Sequence, residues 1–103
     1  MVAGDAVDYP SGPWTGFDQL EGHKVTLELE LTFDDGVVRG GGWDSLGEFR
    51  IKGSYQPADA EVRFTRIYDR GRKVTCRGFR EQKGIWGTWH VGRESGGFHI
   101  WPL

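Results

Sequence analysis

His23-Lys24-Val25-Thr26-Leu27-Glu28-Leu29-Glu30-Leu31-Thr32-Phe33, followed at once by Asp34-Asp35-Gly36-Val37-Val38, is the stretch that decides the fold. Val25, Leu27, Leu29, Leu31 and Phe33 fall on one parity, and Lys24, Thr26, Glu28, Glu30 and Thr32 on the other. Successive side chains of a strand point to opposite faces, so this is a strand with one dry face and one wet face. Asp35-Gly36 suits the positive φ angles of a type I′ turn. A two-residue loop there pairs Phe33 with Val38, Leu31 with Gly40 and Leu29 with Gly42, setting large inward residues against glycines, where the sheet bends. Gly40-Gly41-Gly42 is not read as a phosphate cradle. Such loops lead from a strand into a helix, and this one runs on into Glu48-Phe49-Arg50-Ile51-Lys52, another strand.

Outward from this hairpin the period of two persists, and no stretch carries a helical stripe. Phe49, Ile51, Gly53 and Tyr55 alternate up to a turn at 56–59. Val62, Phe64, Arg66 and Tyr68 alternate up to Arg70-Gly71. Val74, Cys76 and Gly78 follow, then Ile85, Gly87, Trp89 and Val91, then Phe98 and Ile100. A first strand over Pro13 to Gln19 brings the number to eight. Residues 1–11 read as a flexible lead-in and 12–103 as a single domain of 92 residues, about 11.5 per strand and turn. Connections that short permit hairpins and little else. Eight hairpin-linked strands expose two edges unless the first pairs with the last, so the expected fold is all-β, an eight-stranded antiparallel up-and-down β-barrel. A two-sheet sandwich would need a long crossover, and no connection is long enough. The expected interior holds Val25, Leu27, Leu29, Leu31, Phe33, Phe49, Ile51, Phe64, Ile85, Trp89, Phe98 and Ile100.

Composition agrees with one soluble domain. The chain has 103 residues, 37% hydrophobic, 27% charged and 14% aromatic, too apolar for disorder and too polar for a membrane protein. Its 17 glycines are about 16.5% of the chain against a usual ~7%. The net charge of −2 sets up no global field toward nucleic acid or an anionic membrane, and neither partner is expected. Charge is unevenly placed, however. Glu21, Glu28, Glu30, Asp34 and Asp35 stand against Lys24 alone, whereas Arg70, Arg72, Lys73, Arg77, Arg80 and Lys83 stand against Glu81. The first group reads as a solvated face, the second as a solvated face or an anion-docking edge. The lone Cys76 makes no internal disulfide, and no signal or spanning segment is recognised, so a reducing, cytoplasmic location is expected.

Gly12-Pro13-Trp14-Thr15-Gly16 in the opening strand is similar to the Gly-x-Trp signature of the calycins, the superfamily of lipocalins, fatty-acid-binding proteins and avidins. The resemblance continues through Gly-x-Phe-x-Ile-x-Gly at 47–53, Val-x-Phe at 62–64, Ile-x-Gly-x-Trp at 85–89 and Gly-Phe at 97–98. It covers most of residues 12–101, and the length resembles the small, avidin-like end. The chain departs from the pattern twice. Gly16 stands where avidins carry an Asn that takes part in biotin binding, so biotin is not carried across. No Arg follows Phe98 to cover the early Trp. The resemblance implies a calycin-like barrel that binds a small molecule or serves as an interaction module.

Arg66 and Tyr68 interrupt the inward pattern of Val62 and Phe64. A buried guanidinium needs a partner, because uncompensated burial costs several kcal/mol. Either both residues sit at the barrel mouth, or Arg66 stacks on Trp14 or Trp89 as a plug, or the two anchor an anionic ligand walled by Trp14, Tyr55, Trp89 and Phe98. The expected function is therefore non-catalytic binding of a small, partly apolar, anionic molecule in the interior. The alternative is an interaction module, a homodimer through an outer face bearing Trp86, His90, His99 and Trp101. A four-residue loop Arg93-Glu94-Ser95-Gly96 would set His90 opposite His99. Two histidines do not make a metal site, all three lie off the inward parity a haem ligand needs, and no cofactor is expected. Cys76 reads as a small core residue. No catalytic residue stands out, which makes an isomerase-type enzyme the minority reading.

Overall fold

Eight strands follow one another in chain order: β1 Gly12–Leu20, β2 His23–Asp34, β3 Val37–Asp44, β4 Gly47–Gln56, β5 Glu61–Tyr68, β6 Lys73–Glu81, β7 Gly84–Val91 and β8 Glu94–Pro102. The structure, a computed structural model, describes residues 9–56, 58 and 60–103. Each strand pairs antiparallel with the next, and β1 closes on β8 with Trp14 opposite Pro102, Gly16 opposite Ile100 and Asp18 opposite Phe98. The result is the expected closed, up-and-down, all-β barrel. Closure satisfies the backbone of both terminal strands, which would otherwise offer their polar edges to other chains. The only helical turn among the described residues is a 3-10 turn at Asp69–Gly71 between β5 and β6.

The turns set the register. Asp35 and Gly36 both take positive φ, 50° and 80°, as a type I′ hairpin requires, and Phe33–Val38, Leu31–Gly40 and Leu29–Gly42 pair as the sequence predicts. A Cβ on Gly40 would run into the Glu30 carbonyl and one on Gly42 into the Glu28 carbonyl, so β2 and β3 approach there only because both side chains are missing. The β7–β8 connection differs from expectation. It is the two-residue turn Gly92-Arg93, with Gly92 at φ 57°, and His90 faces Ser95 while His99 faces Trp86. Gly92 accepts the left-handed backbone that a two-residue hairpin demands, so the tighter turn forms and Glu94 and Ser95 join the ladder. The shift is even, and every side chain keeps its face.

Of the twelve expected interior residues, Val25 and Phe33 are partly buried and the others are buried. Trp14, Val38, Tyr55, Val62, Arg66, Tyr68, Val74 and Cys76 complete the filling from the same parities. Tyr9 joins them, although it falls in the expected lead-in. It is 5% exposed, donates to the Ala60 carbonyl at 3.1 Å and lies 5.0 Å from Phe33 and 5.9 Å from Tyr55, ring centroid to ring centroid. Trp14 Nε1 donates to the Pro10 carbonyl at 2.8 Å and so ties down the chain just before β1. Tyr9, Trp14, Phe33 and Tyr55 thus plug one end of the barrel. Residues 1–8 of the lead-in, and Pro57 and Asp59 of the turn expected at 56–59, lie outside the described residues.

Candidate functional site

The opposite end is open. Asp18 and Leu20 of β1, Val25 of β2, Arg66 and Tyr68 of β5, and Trp89 and Val91 of β7 line a cavity of about 100 Å³, rimmed by Ser45 and Leu46 of the β3–β4 turn. A dry apolar cavity of ~150 Å³ accommodates benzene, so this one admits the buried part of a molecule no larger than that. Deeper in, between Leu31, Val62, Ile85 and Ile100, there is no room for a water molecule. An eight-stranded barrel is just wide enough to be filled by its own side chains, and here it is.

Arg66, 1% exposed, points inward because it shares the parity of Val62 and Phe64. Its two terminal nitrogens donate to the two carboxylate oxygens of Asp18 on β1, each at 2.7 Å. Such a planar fork-to-fork pair is the strongest form of neutralisation a buried guanidinium finds. Burial alone would lower the Arg66 pKa, but the hydrogen bonds it donates to Asp18 and the negative charge of that carboxylate drive it up, and the group stays charged. Arg66 also lies over the Phe49 ring, 5.7 Å from its centroid. Its Nε is the one buried side-chain polar atom without a hydrogen-bond partner among the described residues. Beside it, Tyr68 donates its hydroxyl to Asp44 at the end of β3, and burial followed by that bond raises the phenol pKa. Trp89 is held by its Nε1, which donates to the Gln19 carbonyl at 3.1 Å.

The interior residues singled out from the sequence therefore do not form one site. Arg66, Tyr68 and Trp89 meet at the open end. Trp14 and Tyr55 belong to the plug at the other end, and Phe98 packs edge-on against Phe64, 5.7 Å away, in the filled middle. Arg66 stacks on neither Trp14 nor Trp89. Its partner is Asp18, which takes the place left in the sequence reading for a ligand carboxylate. Asp18 and Asp44 were missed, yet a signal existed: Asp18 shares the inward parity of Trp14 and Gly16, so one inward acid was available for one inward base.

On the outer surface Trp86 is 46% exposed and stacks on His99 at 4.0 Å and 13°. Trp101 and Phe17 crowd the same imidazole at 4.8 Å and 5.9 Å. Three of the four expected interface residues, Trp86, His99 and Trp101, are thus together, and His90 lies apart opposite Ser95. No group of three or more His, Cys, Asp or Glu able to hold a metal occurs among the described residues, and no described helix is long and apolar enough to cross a membrane. No family model, curated protein or solved structure matches the chain.

Proposed function

We propose that the protein is a calycin-like binding barrel that takes a small, partly apolar molecule at its open end. The observation that carries this reading is a largely apolar cavity at the open end whose floor is the buried Arg66–Asp18 pair. Val25, Val74, Trp89 and Val91 supply apolar walls, and Arg66, Tyr68 and Asp44 supply orientation. Asp18 and Asp44 balance Arg66 and Arg72 around the cavity, so a neutral polar head group suits it better than a carboxylate, which would have to displace Asp18.

Native mass spectrometry of freshly purified protein, followed by NMR titration with benzyl alcohol and benzoate, tests the reading. The expected results are a retained small mass, or saturable shifts of the Trp89 indole N–H stronger with benzyl alcohol and abolished by Val91→Phe, which fills the mouth. Absence of any bound mass together with an unmoved Trp89 signal for both probes overturns it.

A further inference from the structure

The outer faces of β4 to β7 carry a second surface that takes no part in the mouth. By register, Lys52, Thr65, Thr75 and His90 stand side by side across these strands, and Ser54, Arg63, Arg77 and Thr88 form the next row. Neighbours in a row are ~4.8 Å apart and rows ~6.7 Å apart. The short side chains of Thr65 and Thr75 floor an open depression of about 360 Å³ walled by Lys52, Arg63, Arg77 and His90. Glu61 accepts hydrogen bonds from both Arg63 and Arg77, which leaves that trio net positive. Lys52, and Arg39 beside it on β3, make no ion pair among the described residues.

The row beyond Arg63 and Arg77 begins with Glu61 on β5 and is aromatic from β6 onward. Phe79 faces Trp86, Trp86 faces His99 and His99 faces Phe17, so rings cross four strands in line. Phe79 and Trp86 are 45% and 46% exposed, and the Arg77 guanidinium lies 5.2 Å from the Phe79 ring centroid. Glu61, which accepts from both arginines, stands opposite Phe79 at the β5 end of the ring row, and toward β8 only Thr88 and Gly97 continue the row of Arg77, so no bulky side chain screens Trp86 on that side.

Cations that track a backbone, beside rings on which bases stack, are what single-stranded nucleic acid requires of a protein surface. We propose that this face binds single-stranded nucleic acid, with phosphates over Lys52, Arg63 and Arg77 and bases against Phe79 and Trp86. The net charge of −2 does not by itself oppose it: Glu28 and Glu30 point outward from β2, which lies across the barrel from β6, and the carboxylates on the proposed side, Glu61 and Glu81, are outnumbered there by Arg39, Lys52, Arg63 and Arg77. A second copy of the chain seated by a two-fold contact on Trp86, His99 and Trp101 would use the rings but leave Lys52 and Arg63, on β4 and β5, without a role. The surface is separate from the mouth, and the proposal does not rest on a ligand there.

Fluorescence anisotropy with a labelled oligothymidylate of ~15 nucleotides tests it. Saturable binding is expected at low salt, weakening roughly 20-fold between 50 and 200 mM salt if about three phosphates are neutralised. Lys52→Glu with Arg63→Glu should abolish it. Phe79→Ser and Trp86→Ser should each weaken oligonucleotide binding at least ~5-fold while leaving binding of inorganic polyphosphate unchanged. All four positions are outward, and circular dichroism verifies that each variant keeps its barrel; the wild-type titration is decisive by itself. No saturable binding at ~100 μM protein overturns the proposal. So does an oligonucleotide affinity indifferent to both aromatic variants, which would mark a general polyanion surface. A dimer in sedimentation that Trp86→Ser dissolves and oligonucleotide does not would assign the face to a second copy instead.

Discussion

Asp18 and Arg66 are 48 positions apart in the chain and share two hydrogen bonds of 2.7 Å. One sits on β1 and the other on β5, four strands away around a ring of eight, so the ion pair spans the barrel and joins opposite walls. Below it the interior is full, and above it lies the mouth. The pair is therefore both the floor of the candidate site and a structural tie.

Asp18→Asn should destabilise the fold by about 3 to 5 kcal/mol, because it strands a buried guanidinium that cannot shed its proton. Asp18→Leu with Arg66→Met should recover most of that loss, since an apolar pair of similar volume removes both desolvation costs. Urea denaturation of Asp18→Leu, Arg66→Met and the double variant measures the coupling. A single Asp18→Asn variant as stable as the wild type would show that the pair contributes nothing.

Stability should fall as pH drops below about 6.5. His99 has its pKa lowered, first by burial among its aromatic neighbours and against the opposing pull of Glu81. The unfolded chain then binds the proton more readily than the folded one, so stability is complete above the ordinary histidine pKa and declines toward the lowered one. Glu61 acts in a more acid window. Its pKa is lowered by the hydrogen bonds from Arg77 and Arg63, so its contribution is present above about 4.5 and lost below. Urea midpoints at about pH 7.5 and 5.5 should converge in His99→Gln and stay apart in the wild type.

Tyr9→Ala should cost about 3 kcal/mol, the scale of truncating a buried aromatic side chain. It removes the ring that caps Phe33 and Tyr55 and the hydroxyl bond to Ala60. Burial, partly offset by Arg80, pushes the Tyr9 phenol up to about 12, so alkaline titration should show it ionising later than an exposed tyrosine. Thermal unfolding, with tryptophan emission reporting water at Trp14, measures the first effect. An unchanged midpoint would mean that the plug adds no stability.

Cys76 should resist alkylation in the folded protein. It is buried, and that burial, opposed by Arg66, pushes the thiol up to about 12, which leaves almost no thiolate near neutral pH. Iodoacetamide at pH ~8 should label the protein in denaturant and leave it unmodified without. Rapid labelling of the folded state would contradict the burial.

Local rules made the barrel legible. Alternation in β2 assigned each residue a face, Asp35-Gly36 fixed the first register, and short connections forced neighbours in sequence to be neighbours in the sheet. These are consequences of a two-residue period and of turn geometry, and both act within a few positions of the chain. Even the β7–β8 error was local: Gly92 was available as a turn residue, and its choice moved His90 away from His99 without changing either face. What the tertiary structure alone decided is which inward residues meet. Parity places Trp14, Tyr55, Arg66, Tyr68, Trp89 and Phe98 inside, but height along the barrel axis divides them between plug, filled middle and mouth, and height depends on the accumulated stagger of all eight strands. The same holds for the partner of Arg66, for Tyr9 as a plug, and for the separation of acids on β2 from bases on β4 to β6. A net charge adds residues without regard to direction, whereas closing the sheet turns sequence segments into faces that point apart.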